Sequence, residues 1–93
     1  MYKNTINIRY GNFFKNNKDI TDSEIKEKIS DKVLTELGGM SKDDLIETFS
    51  VSRDDQSLVN SNKYGFNFLN MKLDKRHRNC ILTVELVVHR PTV

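Results

Sequence analysis

The chain has 93 residues, of which 15 are Lys or Arg and 13 are Asp or Glu, for a net charge of +2. A chain of this length forms one small domain over residues 1–93 and buries roughly 60% of its unfolded surface. Its single cysteine excludes an intramolecular disulfide and a Cys-rich metal site, and the lack of a long apolar run excludes a membrane span.

Charge is distributed unevenly along the chain. Residues 41–59 carry a net charge of −3 and residues 60–93 carry +4, so we expect a dipolar surface. Without a recognisable secretion signal, the expected location is the reducing cytoplasm. Ten asparagines and many lysines and isoleucines are typical of an AT-rich genome, which favours a bacterial or phage origin.

The N-terminal residues predict a half-buried strand. Apolar and polar residues alternate from Tyr2 to Tyr10, with the period of two that places successive side chains on opposite faces. The apolar face carries Tyr2, Ile6, Ile8 and Tyr10. Gly11 breaks the pattern, and Phe13 and Phe14 are predicted to plug the space under the polar loop that follows.

Residues 20–40 carry the strongest helix signal. Thr21 followed by Glu24 forms a capping box, which satisfies amides that the first helical turn leaves without partners. Apolar residues then recur every four positions, at Ile25, Ile29, Val33 and Leu37. Gly38 and Gly39 are predicted to end the helix in the left-handed conformation that glycine accepts.

A second helix and an ambiguous segment follow. Ser41 is the predicted N-cap of the second helix, which is expected to end near Phe49. Residues 50–63 have two interpretations. Alternation slightly favours a short strand followed by loops. Alternatively, residues 53–60 form a third helix that is capped by Ser52 and has Asp54 and Asp55 in its first turn, where the helix dipole favours anions.

The C-terminal third predicts a β-hairpin. Residues 64–73 form a strand whose apolar phase changes near Leu69, which indicates a bulge. The strand over residues 79–89 has one wholly apolar face, which favours a central position in the sheet, and Pro91 prevents it from continuing. This face carries Cys80, Leu82, Val84, Leu86 and Val88. The connection, residues 74–79, has six residues.

These elements predict an α+β fold in the order β-α-α-(β)-β-β. An antiparallel sheet of three or four strands carries both helices on one face, since a hydrophobic sheet face must be covered by another layer. A chain of this size has a thin core, so the second sheet face is expected to be partly open to solvent.

The hairpin connection concentrates positive charge and supplies the candidate binding residues. These are Lys72, Lys75, Arg76, His77 and Arg78. Such a tip can contact phosphates, where most protein–DNA hydrogen bonds go, or an acidic protein surface. The alternative is a solvated turn without a ligand, because charges there also prevent strands from mispairing. A secondary candidate surface is aromatic and consists of Tyr10, Phe13 and Tyr64.

Residues 44–53 and 56–60 resemble the turn and recognition helix of bacterial helix-turn-helix repressors, with the basic hairpin as a wing. Ser50 stands where the repressor turn usually has glycine, and Gln56 where a buried position is usually apolar. Asp54 and Asp55 would repel phosphates.

The sequence offers little for catalysis. His77 and His89 lie at opposite ends of one predicted strand, too far apart to share a metal ion or a proton relay. No phosphate-binding loop, nucleophile elbow or zinc spacing occurs in the sequence. We therefore expect no catalytic residues, no metal and no cofactor, and a protein that is not an enzyme.

By elimination, the sequence favours a small interaction protein encoded by a phage or mobile element. It would bind and modulate, or inhibit, a larger host protein or nucleoprotein such as a defence nuclease. The alternative is a DNA- or RNA-binding protein that uses the basic hairpin tip, in one form a winged helix-turn-helix regulator. The expected partner is a protein or nucleoprotein, with nucleic acid as the alternative and no membrane association.

Overall fold

The computed structural model describes residues 2–11 and 20–91, which form three strands and three helices around one core. The elements are β1 (Tyr2–Arg9), α1 (Asp22–Gly39), α2 (Lys42–Thr48), α3 (Arg53–Asn60), β2 (Tyr64–Asp74) and β3 (Asn79–Val88). The α+β class is confirmed. The favoured interpretation of residues 50–63 is wrong, because a third helix occupies this segment, so the described order is β-α-α-α-β-β.

β3 is the central strand, as predicted. It pairs antiparallel with β1 on one side and with β2 on the other, which gives the order β1-β3-β2. Its predicted apolar face is buried throughout, and Cys80, Leu82, Val84 and Leu86 have no exposed surface. A strand with a neighbour on each side and helices above it loses contact with water on that face.

The edge strands also follow the sequence pattern. β1 alternates between half-buried and exposed residues over its whole length. In β2 the register against β3 shifts between Phe68 and Asn70, which places the predicted bulge at Leu69. The extra residue explains the change of apolar phase, because a bulge sets two residues of one strand against one of its partner.

α1 begins as predicted and ends differently. The Thr21 hydroxyl accepts a hydrogen bond from the Glu24 amide at 3.2 Å and donates one to the Glu24 carboxylate at 3.1 Å. Its buried residues are Ile25, Ile29, Val33 and Leu37. Gly38 and Gly39, however, have negative φ and belong to the helix, and Met40 caps it in an extended conformation with φ −73°. The predicted left-handed glycine cap is therefore wrong.

α2 and α3 are joined by a four-residue turn, residues 49–52. The Ser41 hydroxyl caps α2 by accepting from the Asp44 amide at 3.1 Å. Ser50 in the turn has φ 53°, the left-handed conformation that costs a non-glycine residue energy. Ser52 precedes α3 but makes no side-chain cap, because its hydroxyl is bonded to Tyr2 instead.

All three helices contribute buried residues to the core on the Leu82 side of β3. The opposite side of the sheet, here called the open face, carries exposed or half-exposed residues. They are Lys3, Thr5, Asn7 and Arg9 of β1, Asn79, Ile81, Thr83, Glu85 and Val87 of β3, and Asn67, Asn70, Lys72 and Asp74 of β2. None of the helices in the described ranges has the length and apolar character needed to cross a membrane.

Candidate functional site

The hairpin turn is shorter than the sequence suggests. Asp74 and Asn79 still pair across the ladder, which leaves only residues 75–78 as the turn. The Asp74 carboxylate accepts a hydrogen bond from the His77 amide at 3.3 Å, and Arg78 takes a left-handed conformation with φ 52°. The chain reverses within four residues, and all four turn side chains are exposed.

One candidate cation is already engaged within the protein. The Lys75 ammonium lies 2.8 Å from the carboxylate of Asp22, the first residue of α1. The hydrogen bond to Asp22 raises the pKa of Lys75. Both side chains are more than half exposed, at 66% and 53%, so the pair is a surface contact that contributes little to folding. It nevertheless holds the turn beside the start of α1.

The turn is also held by the chain that leaves β1. The Tyr10 amide donates to the Arg78 carbonyl at 2.9 Å. Next to it, a Cβ on Gly11 would lie 3.2 Å from the Cδ of Arg78, which is closer than most side-chain contacts. The Arg78 stem therefore lies against the Gly11 backbone. The tip is consequently attached to two other parts of the chain and is not a free loop.

His77 pairs with the carboxylate at the base of the turn. Its Nδ1 lies 2.8 Å from Asp74 Oδ2. The hydrogen bond from His77 is the main cause of the lowered pKa of Asp74. Asp74 forms no described salt bridge with the neighbouring arginines, but its carboxylate stays ionised and adds one negative charge to this end of the sheet.

Three candidate residues remain available to a partner. Lys72, Arg76 and Arg78 are exposed and form no salt bridge with any residue of the described ranges. The pairing of β1 with β3 adds a fourth cation, because Arg9 lies directly opposite Asn79, the residue that follows Arg78. Arg9 is exposed and likewise forms no described salt bridge. We call these four residues the basic corner.

The sequence alone does not reveal that Arg9 belongs to the basic corner. It is 69 positions from Arg78 along the chain, and only the register of a long-range strand pair brings the two together. The available signal was its position on the polar face of β1, near the end of that strand.

The proposed aromatic surface does not assemble from its described members. Tyr10 is only 5% exposed and belongs to the core, where burial raises the pKa of its hydroxyl. Tyr64 pairs with Val88 at the opposite end of the hairpin, and its hydroxyl accepts from the Lys42 ammonium at 2.9 Å. Phe13 lies outside the described residues. Tyr10 shares the phase of Ile6 and Ile8, and this phase directs it inward.

A second polar cluster lies at the other end of the sheet and was missed by sequence reasoning. Asp55, assigned to the first turn of a helix or to a solvated turn, is only 4% exposed. Arg90 Nη2 lies 2.8 Å from its Oδ2, Arg90 Nε lies 3.2 Å from its Oδ1, and the Tyr2 hydroxyl donates to it as well. These hydrogen bonds, that of Arg90 foremost, lower the pKa of Asp55 against the effect of burial. The signal in the sequence was that Asp55 lies four residues before the buried Val59, on the inner face of α3.

The remaining reactive groups do not form a site among the described residues. Cys80 is fully buried, and burial raises the pKa of its thiol, which keeps it protonated. No group of three or more His, Cys, Asp or Glu residues within the described ranges is arranged to hold a metal ion. The basic corner is therefore the group of side chains best placed to meet a ligand.

The chain matches no family model, no curated protein and no solved structure.

Proposed function

We propose that this protein is a non-enzymatic binding protein whose hairpin tip docks on an anionic surface of a larger host protein or nucleoprotein and modulates or inhibits it. The observation that supports the proposal is the concentration, in the basic corner, of cations that form no salt bridge within the described ranges. Arg76 and Arg78 are presented at a four-residue turn whose Arg78 carbonyl accepts from the Tyr10 amide, so little ordering is needed on binding. Guanidinium groups also suit carboxylates and phosphates, because they bind both with two parallel hydrogen bonds.

Charge reversal at the tip tests the proposal. The double variant R76E/R78E should fold normally, since exposed charges contribute little to stability, and it should lose the partner, because the contact becomes repulsive. K3E/K63E is the matched control. It changes net charge by the same amount at two exposed lysines away from the turn.

The measurement is a pull-down from bacterial lysate with and without nuclease treatment, together with a thermal melt of each variant. A partner retained by the wild type and K3E/K63E but lost by R76E/R78E supports the proposal. A partner retained equally by R76E/R78E would exclude the tip as the docking site. Loss of the partner on nuclease treatment identifies a nucleic acid or nucleoprotein.

A second candidate function is nucleic-acid binding as a winged helix-turn-helix protein. The order β-α-α-α-β-β, the short turn between α2 and α3 and the left-handed Ser50 favour it. Charge opposes it, since α2 and α3 together carry Lys42 and Arg53 against five carboxylates, a net −3. If α3 reads DNA, we expect its exposed polar residues Ser57 and Asn60 to contribute base contacts. The variant S57A/N60A would then lose sequence preference in a gel-shift assay.

A further inference from the structure

The open face of the sheet continues the basic corner away from the turn. Arg9, Asn79 and Asp74 form one row across the three strands, and Asn7, Ile81 and Lys72 form the next. Residues directly opposite in an antiparallel sheet direct their side chains to the same side. Arg9 and Lys72 therefore stand on the open face, one on each side of the central strand.

Their spacing follows from sheet geometry. Arg9 and Lys72 are separated by two strand spacings across the sheet and two residues along it, so their Cα atoms lie about 12 Å apart. Between them are the neutral side chains of Asn79 and Ile81. Arg76 and Arg78 lie beyond this pair, at the end of the β2–β3 ribbon. The four cations thus surround Asn79 and Ile81 at one end of the sheet, with the carboxylate of Asp74 in the same row as Arg9.

We propose that the ligand of this surface is the phosphate backbone of a DNA duplex, contacted by Arg9 and Lys72 on the open face as well as by Arg76 and Arg78 at the tip. This inference rests on the proposed function and specifies the anionic surface as the DNA of a nucleoprotein. A major groove is about 12 Å wide, and Arg and Lys side chains whose Cα atoms are this far apart are long enough to reach the phosphates on both of its sides from a sheet face laid across it. Asn7 and Asn70 on the same face supply amides of the kind that contact phosphate and sugar.

Local charge supports a uniformly anionic partner. Asp74 lies on the open face in the row of Arg9, and the four cations of the basic corner outnumber this carboxylate by three. Glu85 lies opposite Lys3, three rows away from Arg9. The acidic helices α2 and α3 lie near the other end of the hairpin, where Lys42 contacts Tyr64. A duplex on the open face would therefore meet cations without approaching the exposed carboxylates Asp43, Asp44 and Glu47.

The test is the salt dependence of binding to a short, labelled DNA duplex of mixed sequence, measured by fluorescence anisotropy. Each lost phosphate contact should reduce the slope of log affinity against log salt by about 0.9. We expect R9Q and K72Q each to reduce the slope by about this amount. K3Q is the matched control for R9Q, because Lys3 is an exposed cation on the same face of the same strand. It should leave the slope unchanged.

The outcomes separate this inference from the proposed function. If R9Q and K72Q behave like K3Q while R76E/R78E loses the duplex, the tip acts alone and the open face is not used. If the wild type binds polyglutamate more tightly than the duplex, the partner is an acidic protein and the DNA inference fails, while the proposed function stands. If R76E/R78E binds every anionic probe like the wild type, the proposed function fails as well. A single-stranded probe that binds more tightly than the duplex would also overturn the inference.

Discussion

Asp55 and Arg90 are 35 residues apart in sequence, and they form a two-pronged ion pair in which the carboxylate is buried and the guanidinium is largely exposed. Tyr2 donates a hydrogen bond to the same carboxylate. The cluster joins three parts of the chain: Tyr2 at the start of β1, Asp55 in the first turn of α3, and Arg90 two residues after the end of β3. It therefore fixes the position of α3 against the sheet.

This cluster predicts acid sensitivity. Because the folded pKa of Asp55 lies below its ordinary value of 3.8, ionised Asp55 stabilises the fold above that pH. The contribution is lost as pH falls through the folded pKa. We expect D55N to have a lower melting temperature than the wild type at neutral pH, and to lose less stability on acidification. Melting curves between about pH 7 and about pH 2 measure both effects.

D54N is the control for D55N, since Asp54 is the adjacent carboxylate and is exposed. It should melt close to the wild type at neutral pH. Y2F removes only one hydrogen-bond donor to Asp55, so its melting temperature at neutral pH should lie between those of D54N and D55N. An unchanged melting temperature for D55N at neutral pH would show that the cluster does not stabilise the fold.

Truncation of two neighbouring residues in the central strand should change the free energy of unfolding by very different amounts. L82A removes a side chain with no exposed surface and should cost about 2–5 kcal/mol in the free energy of unfolding. I81A, on the open face of the same strand and 43% exposed, should change it by less than about 0.5 kcal/mol. Chemical denaturation measures both values. Similar losses for the two variants would contradict the assigned faces.

The N-cap of α1 can be tested in isolation. T21A removes the hydroxyl that accepts from the Glu24 amide, and it should reduce the free energy of unfolding by about 1 kcal/mol. T21S keeps an acceptor at the same place and is the control. If T21A and T21S were equally stable in urea denaturation, the capping hydrogen bond would not contribute.

Gly38 predicts a gain in stability. It is helical, and apart from its chain neighbours and the backbone of its own helix no described atom lies within 4 Å of the position that a Cβ would occupy. G38A should therefore stabilise the protein by up to about 1 kcal/mol, because alanine loses less conformational entropy in a helix. G11A is the contrasting variant, since its Cβ would lie 3.2 Å from Arg78 and should bring no such gain. Destabilisation by G38A would imply a left-handed backbone at that residue.

Local sequence patterns predicted most of the secondary structure. The alternation in β1 and β3, the change of phase at Leu69 and the four-residue repeat in α1 each depend on side chains that are close in sequence. The same patterns predict which side chains are buried, because the apolar face of a helix or strand packs against the core. The predicted end of α1 was wrong, since consecutive glycines permit both a helical and a left-handed backbone and the sequence pattern does not choose between them.

In the candidate site, too, some features could be predicted from the sequence and others could not. The tip residues Arg76 and Arg78 are adjacent to each other in any hairpin, so the sequence alone determined that positive charge would gather there. That Lys75 is paired with Asp22, and that Arg9 stands beside the turn, depended on how distant segments meet.

The sequence by itself determined which apolar residues of β3 and α1 face the core and which two strands form the hairpin, because both follow from the period of the backbone. Only the tertiary structure decided that residues 53–60 are helical, that Asp55 is buried and that Arg9 completes the basic corner. The short segment that forms α3 has only weak local preferences for either helix or strand. Its packing through Val59, together with the ion pair from Asp55 to Arg90, supplies the interactions that select the helix.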